Sequence, residues 1–381
     1  MNVIVFGSAG YNTLGVIRNL AHKSDIKTFL LLIKSSQMRA TLMSNACKDY
    51  KIVKNAKEGI TYLDKYFNSQ EKAIILPTSD LAEYYLDKNY NLLKNRFTFP
   101  NAGKQGRVGE LMDKILMTDI ARKNGISVPY SLHYDKNSEL PDTVPYPCII
   151  KPLKSISGNK VDIKICQNRA ELLEAINTST HTQEFIIQQY IKREYDILLI
   201  GCRLLSGEIF LAGIFKKLRW VSNGEDGSWG IITNSIEEYI DKTKTIKFLQ
   251  SLDYFGPFSI EYGVENNIPY FFEINLRNDG TSHYFNCLNI NLPYTWIKGC
   301  INPHIDYTAS KPTKEFYFID EFGDFTNIMT TKLTFKQWRK DFNQAKVFKY
   351  FSKSDLLPFL FMAPRRIGKT LFLIIKNILN K

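Results

Sequence analysis

The chain has 381 residues, of which 44% are hydrophobic and 13% aromatic, which is enough for two or three domains with their own cores. Its net charge of +12 is uneven, because residues 311–381 hold 14 Lys and Arg against 6 Asp and Glu. No apolar run reaches the roughly 18 residues of a membrane-spanning helix, the sequence opens without a basic leader, and the 6 cysteines are far apart. These features predict a cytoplasmic protein with reduced thiols and argue against secretion.

The first predicted unit is a strand, a glycine-rich turn and a helix. Asn2–Phe6 is apolar, the turn spans residues 7–15, a helical pattern continues through Ala21, and Ile26–Ile33 is a second strand. This order predicts a doubly wound, Rossmann-like parallel-sheet domain over residues 1–105. The glycines are not spaced as in dinucleotide-binding turns, and Lys34 stands where an acid would hold a ribose. A structural turn is favoured, with an anion on its amides as the alternative.

A third strand, Ala73–Pro77, is followed by Asp80 and a predicted helix over Leu81–Leu93. Aspartate at this place most often caps the next helix, so we expect Asp80 to be a cap. The alternative is a contact with an amine substrate, because the carboxyl ends of such strands face ligand crevices.

The middle of the chain predicts a helix and then a flap. Gly109–Asn124 suits a helix, and the aperiodic segment Ser131–Pro147 is taken as a boundary between domains. Cys148–Lys151 and Val161–Ile165 are then two strands around a Gly/Ser loop. Lys151 at the strand end suits phosphate binding, and an ordinary exposed hairpin tip is the alternative.

Two longer strands follow, Asp196–Leu205 and Ile209–Leu218, and the second leads through Arg219 into the loop Trp220–Gly230. The cations at its end are explained, from the sequence alone, by a charged sheet edge that discourages aggregation.

The most informative stretch is a predicted hairpin of Pro257–Val264 and Ile268–Leu276. With a three-residue loop, Glu261 lies opposite Glu273, and Asn275 shares the face of Glu273 because side chains alternate. Two carboxylates and an amide oxygen would then converge, which favours a bound Mg²⁺. A solvated polar face is the alternative.

The pattern Glu273-x-Asn275-x-Arg277, with Glu261 on the neighbouring strand, resembles the metal-binding signature of the ATP-grasp superfamily. The resemblance covers about Leu111 to Tyr284 and is nearest to D-aspartate-ligase-like carboxylate-amine ligases. It implies a two-subdomain fold, with a small subdomain at 106–190, a catalytic subdomain at 191–310, and a basic extension at 311–381. Family members often have a Gly-Gly pair in the loop after Arg219, which this sequence lacks.

The resemblance also assigns roles. Lys114 and Lys151 would contact the nucleotide phosphates, and Arg219 and Arg277 would steady the reacting phosphoryl group. The remaining implied contacts are a mobile loop with Ser155, Ser157 and Gly158, an adenine hinge with Gln188, Gln189, Tyr190 and Ile191, a ribose contact at Glu194, and metal ligands Glu261, Glu273 and Asn275.

The implied function is an ATP-dependent ligase that joins a small carboxylate to an amine through an acyl phosphate, with ATP and two Mg²⁺ ions, or Mn²⁺ in their place. A nucleotide- or lipid-linked glycan of the cell wall or a polysaccharide is the implied acceptor class. The alternatives are an ATP-grasp enzyme of the carbamoyl-phosphate-synthase type, a non-catalytic nucleotide-binding module, and a basic protein that binds nucleic acid or a membrane surface. Only the charge of the tail favours nucleic acid.

The chain ends in a basic amphipathic pattern. After a helix predicted at Pro293–Cys300, the last stretch places one apolar set on a single helical face: Ile367, Leu371, Ile375, Ile378 and Leu379. Packing of that face on the body of the protein is favoured over peripheral contact with a membrane.

Overall fold

The computed structural model describes residues 1–36, 38–65, 67, 71–152, 163–179, 182–222, 226–302 and 314–379, without the side chains of 152 and 373–379. The strands of these residues form three sheets of five, four and seven strands.

The first sheet consists of β1 (Asn2–Ser8), β2 (Lys27–Ile33), β3 (Tyr50–Val53), β4 (Ala73–Pro77) and β5 (Phe97–Thr98). Its order is β3-β2-β1-β4-β5, and all neighbours are parallel. The central strand reads as an unbroken apolar run because both of its faces are covered, and its residues 3–6 are fully buried. The prediction of a doubly wound N-terminal domain is confirmed.

The helices of this domain are α1 (Tyr11–Leu20), α2 (Met38–Leu42), α3 (Ala56–Lys65), α4 (Asp80–Lys88) and α5 (Tyr90–Leu93). The glycine-rich turn packs tightly, since a Cβ on Gly7 would lie 2.3 Å from Oγ1 of Thr78.

The helix predicted at Leu81–Leu93 is broken at Asn89, and its cap is Ser79, whose side chain accepts the N–H of Ala82. The expectation that Asp80 caps this helix is therefore wrong. Asp80 is its first residue, and its carboxylate is free to pair elsewhere.

The helix predicted at Gly109–Asn124 is also two helices, α6 (Arg107–Leu111) and α7 (Lys114–Lys123). Asp113 lies between them and accepts the N–H groups of Ile115 and Leu116, both at 2.9 Å, which makes it the N-cap of α7. Lys114 is consequently the first residue of a helix, close to the cap.

The small sheet consists of β6 (Ser131–Asp135), β7 (Cys148–Pro152), β8 (Lys164–Cys166) and β9 (Glu184–Gln189), covered by α8 (Arg169–Thr178). Its order is β6-β9-β7-β8, and all pairs are antiparallel. The segment taken as a boundary at Ser131–Pro147 thus contains an edge strand. The predicted loop with Ser155, Ser157 and Gly158 lies outside the described residues.

The largest sheet has the order β14-β13-β10-β11-β12-β15-β16. Its strands are β10 (Tyr195–Arg203), β11 (Ile209–Trp220), β12 (Gly227–Thr233), β13 (Gly256–Glu265), β14 (Ile268–Asn275), β15 (Glu315–Ile319) and β16 (Val347–Phe348). The helices after its strands are α9 (Lys242–Ser251), a 3₁₀ helix (Gly280–Leu288) and α10 (Leu292–Gly299).

The basic extension is continuous with this sheet, because β15 pairs with β12 and β16 pairs with β15 at the edge opposite β14. It also forms α11 (Glu321–Met329), α12 (Phe335–Gln344) and α13 (Leu357–Leu379). In the part of the chain that the structure describes, no helix combines the length and the apolar character needed to cross a bilayer.

Candidate active site

The hairpin β13–β14 brings the predicted carboxylates together. Its turn is the two residues Asn266 and Asn267, both with positive φ (52° and 62°), as expected for a tight turn that matches the twist of its strands. The predicted three-residue loop is wrong, yet Glu261 lies directly opposite Glu273. The turn is one residue shorter than predicted, and β14 contains one extra residue, Phe272, as a bulge.

The bulge is accommodated by a glycine on the partner strand. The ring of Phe272 lies over Gly263, where a Cβ would be 2.3 Å from the ring. No side chain at position 263 fits beneath this ring, so the bulge packs against a glycine.

Glu261, Glu273 and Asn275 line one cavity of about 210 Å³. Asn275 lies opposite Ser259 and donates to its hydroxyl at 3.3 Å, which fixes the orientation of the amide. Hard oxygen donors of this kind fit Mg²⁺. Among the described residues no three Asp, Glu, His or Cys side chains form a metal cluster, so the third donor of the candidate set is an amide.

Two lysines balance the charge of the carboxylates. Lys217 on β11 is buried and forms an ion pair with Glu261, while Nζ of Lys114 lies 3.2 Å from Oε2 of Glu273. Burial raises the pKa of Glu261, Lys217 opposes that effect, and Glu273 adds to it. Two carboxylates on neighbouring strands repel each other, and the two lysines offset that repulsion. A bound cation would have the same effect.

A second, smaller cavity of about 40 Å³ lies between α7 and the small sheet. It is lined by Lys114, Lys151 and Gln188, and Nζ of Lys151 donates to Oε1 of Gln188 at 3.0 Å. Lys114 lines this cavity and also pairs with Glu273 of the first one, so the two cavities adjoin. The two predicted phosphate lysines are therefore neighbours, although 37 residues separate them in the sequence.

The predicted adenine hinge connects β9 to β10 beside this cavity. The amide of Tyr190 donates to the carbonyl of Pro147, Oε1 of Gln189 accepts the amide of Tyr130 at 3.4 Å, and Ile191 is buried. Glu194 accepts the amide of Asn266 at 2.9 Å, which ties the hinge to the turn of the β13–β14 hairpin.

Arg219 is not among the residues that line either cavity. Its guanidinium contacts two buried aspartates of the extension, Asp324 at 2.5 Å and Asp341 at 2.8 Å. Lys217 and Arg219 would share a face on a regular strand, but β11 is irregular between them. Lys217 is consequently the cation of this strand that faces the carboxylates.

Arg277 pairs with one aspartate of the N-terminal domain and with one that follows β14. Its Nε lies 2.6 Å from Oδ1 of Asp80, and Nη1 lies 3.5 Å from Oδ2 of Asp279. Asp279 also caps the 3₁₀ helix by accepting the amide of Thr281 at 2.9 Å.

Sequence reasoning gave no role to several residues that line the first cavity, among them Tyr11, Lys217, Asp226, Asp279 and Lys349. Lys349 comes from the extension, where its Nζ lies 2.9 Å from Asp320 and 3.1 Å from Asp226. Asp279 could have been found, because it continues the alternation of Glu273, Asn275 and Arg277. No local pattern marks Lys349, which reaches the cavity only through the pairing of β16 with β15.

No protein-family model matches the chain, and no curated protein matches it. Many solved structures do. N5-carboxyaminoimidazole synthetase from Staphylococcus aureus is similar at TM-score 0.61 and 15% identity, over 87% of this chain and 85% of that one. Biotin carboxylase from Campylobacter jejuni is similar at 0.61 and 15%, over 83% and 74%. L-amino acid ligase from Bacillus licheniformis is similar at 0.56 and 13%, over 78% and 73%.

These likenesses define the class of fold. The chain has the ATP-grasp fold, and the resemblance that its hairpin motif carries is confirmed at that level. The narrower resemblance to D-aspartate ligases concerns the substrate, which a shared fold does not decide.

Proposed function

We propose that the protein is an ATP-dependent carboxylate-amine ligase that forms an amide bond and releases ADP and phosphate. The observation that carries the proposal is the convergence of Glu261, Glu273 and Asn275 in one cavity that adjoins the cavity with Lys114 and Lys151. The likeness in fold to an L-amino acid ligase supports the reaction class.

The proposed reaction has two steps. A carboxylate oxygen of the substrate attacks the γ-phosphorus of ATP, the bond to the bridging oxygen breaks, and ADP leaves. The amine then attacks the carbonyl carbon of the acyl phosphate, phosphate leaves with the bonding electrons, and the nitrogen loses a proton. Phosphoryl transfer mostly needs positioning and neutralised charge, which the lysines supply.

Glu261, Glu273 and Asn275 would hold Mg²⁺, as two ions, with Mn²⁺ as the alternative. An ion held there would supply positive charge against the negative charge that develops on the phosphate oxygens. Lys114 and Lys151 bind the phosphates, and Arg277 steadies the acyl phosphate. We assign to Lys217 the phosphoryl-facing part that the resemblance gives to Arg219, because Lys217 lines the cavity of the two glutamates and Arg219 is directed to the extension.

The substrate class is a small carboxylate joined to an amine, and the resemblance to D-aspartate ligases favours an amino acid and a cell-wall or polysaccharide precursor. The carboxylates of Asp226 and Asp279 line the same cavity and suit recognition of an ammonium group. A cytoplasmic location, where ATP is present, belongs to this proposal.

A second candidate is ATP-dependent activation of bicarbonate. The likeness to an N5-carboxyaminoimidazole synthetase and to a biotin carboxylase favours it. ADP release that depends on bicarbonate and needs no other carboxylate would distinguish this reaction from the ligase.

The test is a grid of carboxylates against amines, assayed for magnesium-dependent ADP release by the full chain. We expect one pair to stimulate release and to yield a product heavier than either substrate by the mass of the partner less water. Glu208→Gln, on an exposed turn, is the matched control for Glu273→Gln. Equal rates of ADP release by the E273Q and E208Q variants would contradict the proposal.

A further inference from the structure

The C-terminal helix α13 packs on the protein with the face opposite to the predicted one. Its buried positions Pro358, Met362 and Thr370 recur at multiples of four residues and contact α2 and α11. Thr370 shares a hydrogen bond of 2.9 Å with Thr326 of α11, and Arg366 donates to the hydroxyl of Tyr350 at 2.8 Å. The expectation that Ile367 and Leu371 face the body of the protein is wrong.

The outward face of α13 is apolar. At about 100° per residue, its exposed large side chains fall within one sector, centred opposite the buried stripe. They are Leu357, Leu360, Phe361, Ile367, Leu371 and Phe372, whose exposed fractions run from 39% to 65%. We call this set the α13 apolar face. A surface helix normally has charged residues at these positions, so the face requires an explanation.

Aromatic contacts link α12 to the packed side of α13, at Phe359. Phe335, Trp338 and Phe342 of α12 follow one another with ring centroids 5.3 and 5.2 Å apart, and both phenylalanines are exposed. Phe342 contacts Phe348, which contacts Phe351, which contacts Phe359 of α13, at 5.6 to 5.7 Å. Both α12 and α13 therefore present exposed apolar side chains on the same extension.

The exposed charged side chains of residues 332–372, which carry these apolar side chains, have a single sign. Between residues 332 and 372 there are ten Lys and Arg and only two acids. Both acids are buried in ion pairs, Asp341 with Arg219 and Asp355 with Arg18. All exposed charged side chains of this segment are cations, including Lys340 on α12 and Lys369 on α13.

We propose that α12 and α13 dock the protein on the surface of a membrane that contains anionic phospholipid. An apolar face on helices whose own exposed charges are all cations matches the boundary between acyl chains and negatively charged headgroups. Nucleic acid fits the cations but offers no partner for the six aliphatic and aromatic side chains of the α13 apolar face. A second copy of this chain fits the apolar face but would bring the same cations together. The proposal does not depend on the proposed reaction.

The test is cosedimentation of the full chain with vesicles of phosphatidylcholine alone and of phosphatidylcholine mixed with phosphatidylglycerol. We expect at least about tenfold tighter binding to the mixed vesicles, lost on addition of salt. Leu360→Glu with Leu371→Glu should weaken that binding by at least about tenfold, because it charges the centre of the apolar face. Leu205→Glu, which places the same change on an exposed turn between β10 and β11, should bind as the unchanged protein does.

A second variant keeps the test valid if the leucine variant does not fold. Lys340→Gln with Lys369→Gln changes only exposed cations and should weaken binding to the mixed vesicles alone. No binding of the unchanged protein to mixed vesicles, or equal binding by the double leucine variant, overturns the proposal. So does a dimer in sedimentation velocity that L360E/L371E converts to monomer without any vesicle binding, or a preference for single-stranded oligonucleotides that this variant retains.

Discussion

The seven-stranded sheet has one group of paired carboxylates and cations toward its hairpin edge and another toward the edge formed by the extension, in very different surroundings. At the hairpin edge, the side chains of Glu261 and Glu273 are 26% and 36% exposed and line a cavity. Near the opposite edge, Asp324 is fully buried against Arg219. The chemistry of the pairs is the same and only their access to water and ligands differs.

This difference separates function from stability. A carboxylate next to a cavity can exchange its lysine for another cation at small cost, because water compensates part of the change. A buried carboxylate has no such replacement, and loss of its partner leaves an uncompensated charge. We therefore expect substitutions at the hairpin edge to affect turnover and those at the opposite edge to affect folding.

The largest expected effect is on turnover at the hairpin. Glu273→Gln keeps the shape of the side chain but removes one of two metal-binding charges, and it should lower kcat by about 10³-fold. The rate of ADP release with the best substrate pair measures this, and the free energy of unfolding in urea should change by less than about 1 kcal/mol. A large loss of stability in this variant would break the comparison.

At the opposite edge, Asp324→Asn should lower the free energy of unfolding by about 3 kcal/mol, because it leaves the guanidinium of Arg219 with one charged partner fewer. Urea denaturation followed by circular dichroism measures this value. The control is Asp142→Asn, which removes the exposed partner of Arg169 and should cost less than about 1 kcal/mol. Equal losses in the two variants would show that burial does not distinguish these pairs.

The pH dependence of stability sharpens the comparison at the same edge. Burial, with the help of Asp320, raises the pKa of Glu321 from 4.5 to about 7. The folded protein then keeps a proton that the unfolded chain releases, so the free energy of unfolding falls as pH rises between these values and is level above. The effect should be roughly 2 kcal/mol, less than the full shift implies because the side chain is partly accessible.

Glu321→Gln isolates this contribution, since the glutamine oxygen can still accept the amide of Phe351, which the carboxylate accepts at 2.7 Å. Denaturation curves across this pH range should show the variant gaining stability relative to the unchanged protein as pH rises. Parallel pH profiles of the two proteins would refute the assignment.

The smallest expected effect is on nucleotide affinity. Lys114→Met removes a charge that touches both cavities and should weaken the binding of an ATP analogue by about tenfold, or about 1.4 kcal/mol. Isothermal titration calorimetry measures the change. Lys242→Met, which breaks an exposed pair with Glu237, is the matched control and should leave affinity unchanged.

Much of the fold could be read from the sequence where local patterns decide the structure. The apolar runs of β1 and β4 predicted buried parallel strands. The position of Glu261 opposite Glu273 was predicted from a three-residue loop, and it holds because the bulge at Phe272 offsets the shorter, two-residue turn. The missed features depend on distant packing. The bulge at Phe272, the irregularity of β11 between Lys217 and Arg219, and the entry of Lys349 into the cavity are decided by neighbouring strands that a local pattern does not contain.

Helix α13 also shows that a local sequence pattern does not decide how an element packs. The sequence predicted an amphipathic helix, and α13 is one. Amphipathicity alone does not say which face meets the body of the protein. The contacts with α2 and α11 use a narrow stripe of Pro358, Met362 and Thr370, and the wider apolar sector remains outside.

The bulge at Phe272 determines how this hairpin tolerates changes in length. Deleting Phe272 would restore a regular ladder and still leave the two glutamates across from each other, whereas deleting Ile274 would turn the amide of Asn275 to the far side of the sheet. Divergent chains are thus free to gain or lose a residue between the turn and the first acid, but not between acid and amide. A search pattern for such sites works best with a variable gap before the Glu-x-Asn core and a fixed gap within it.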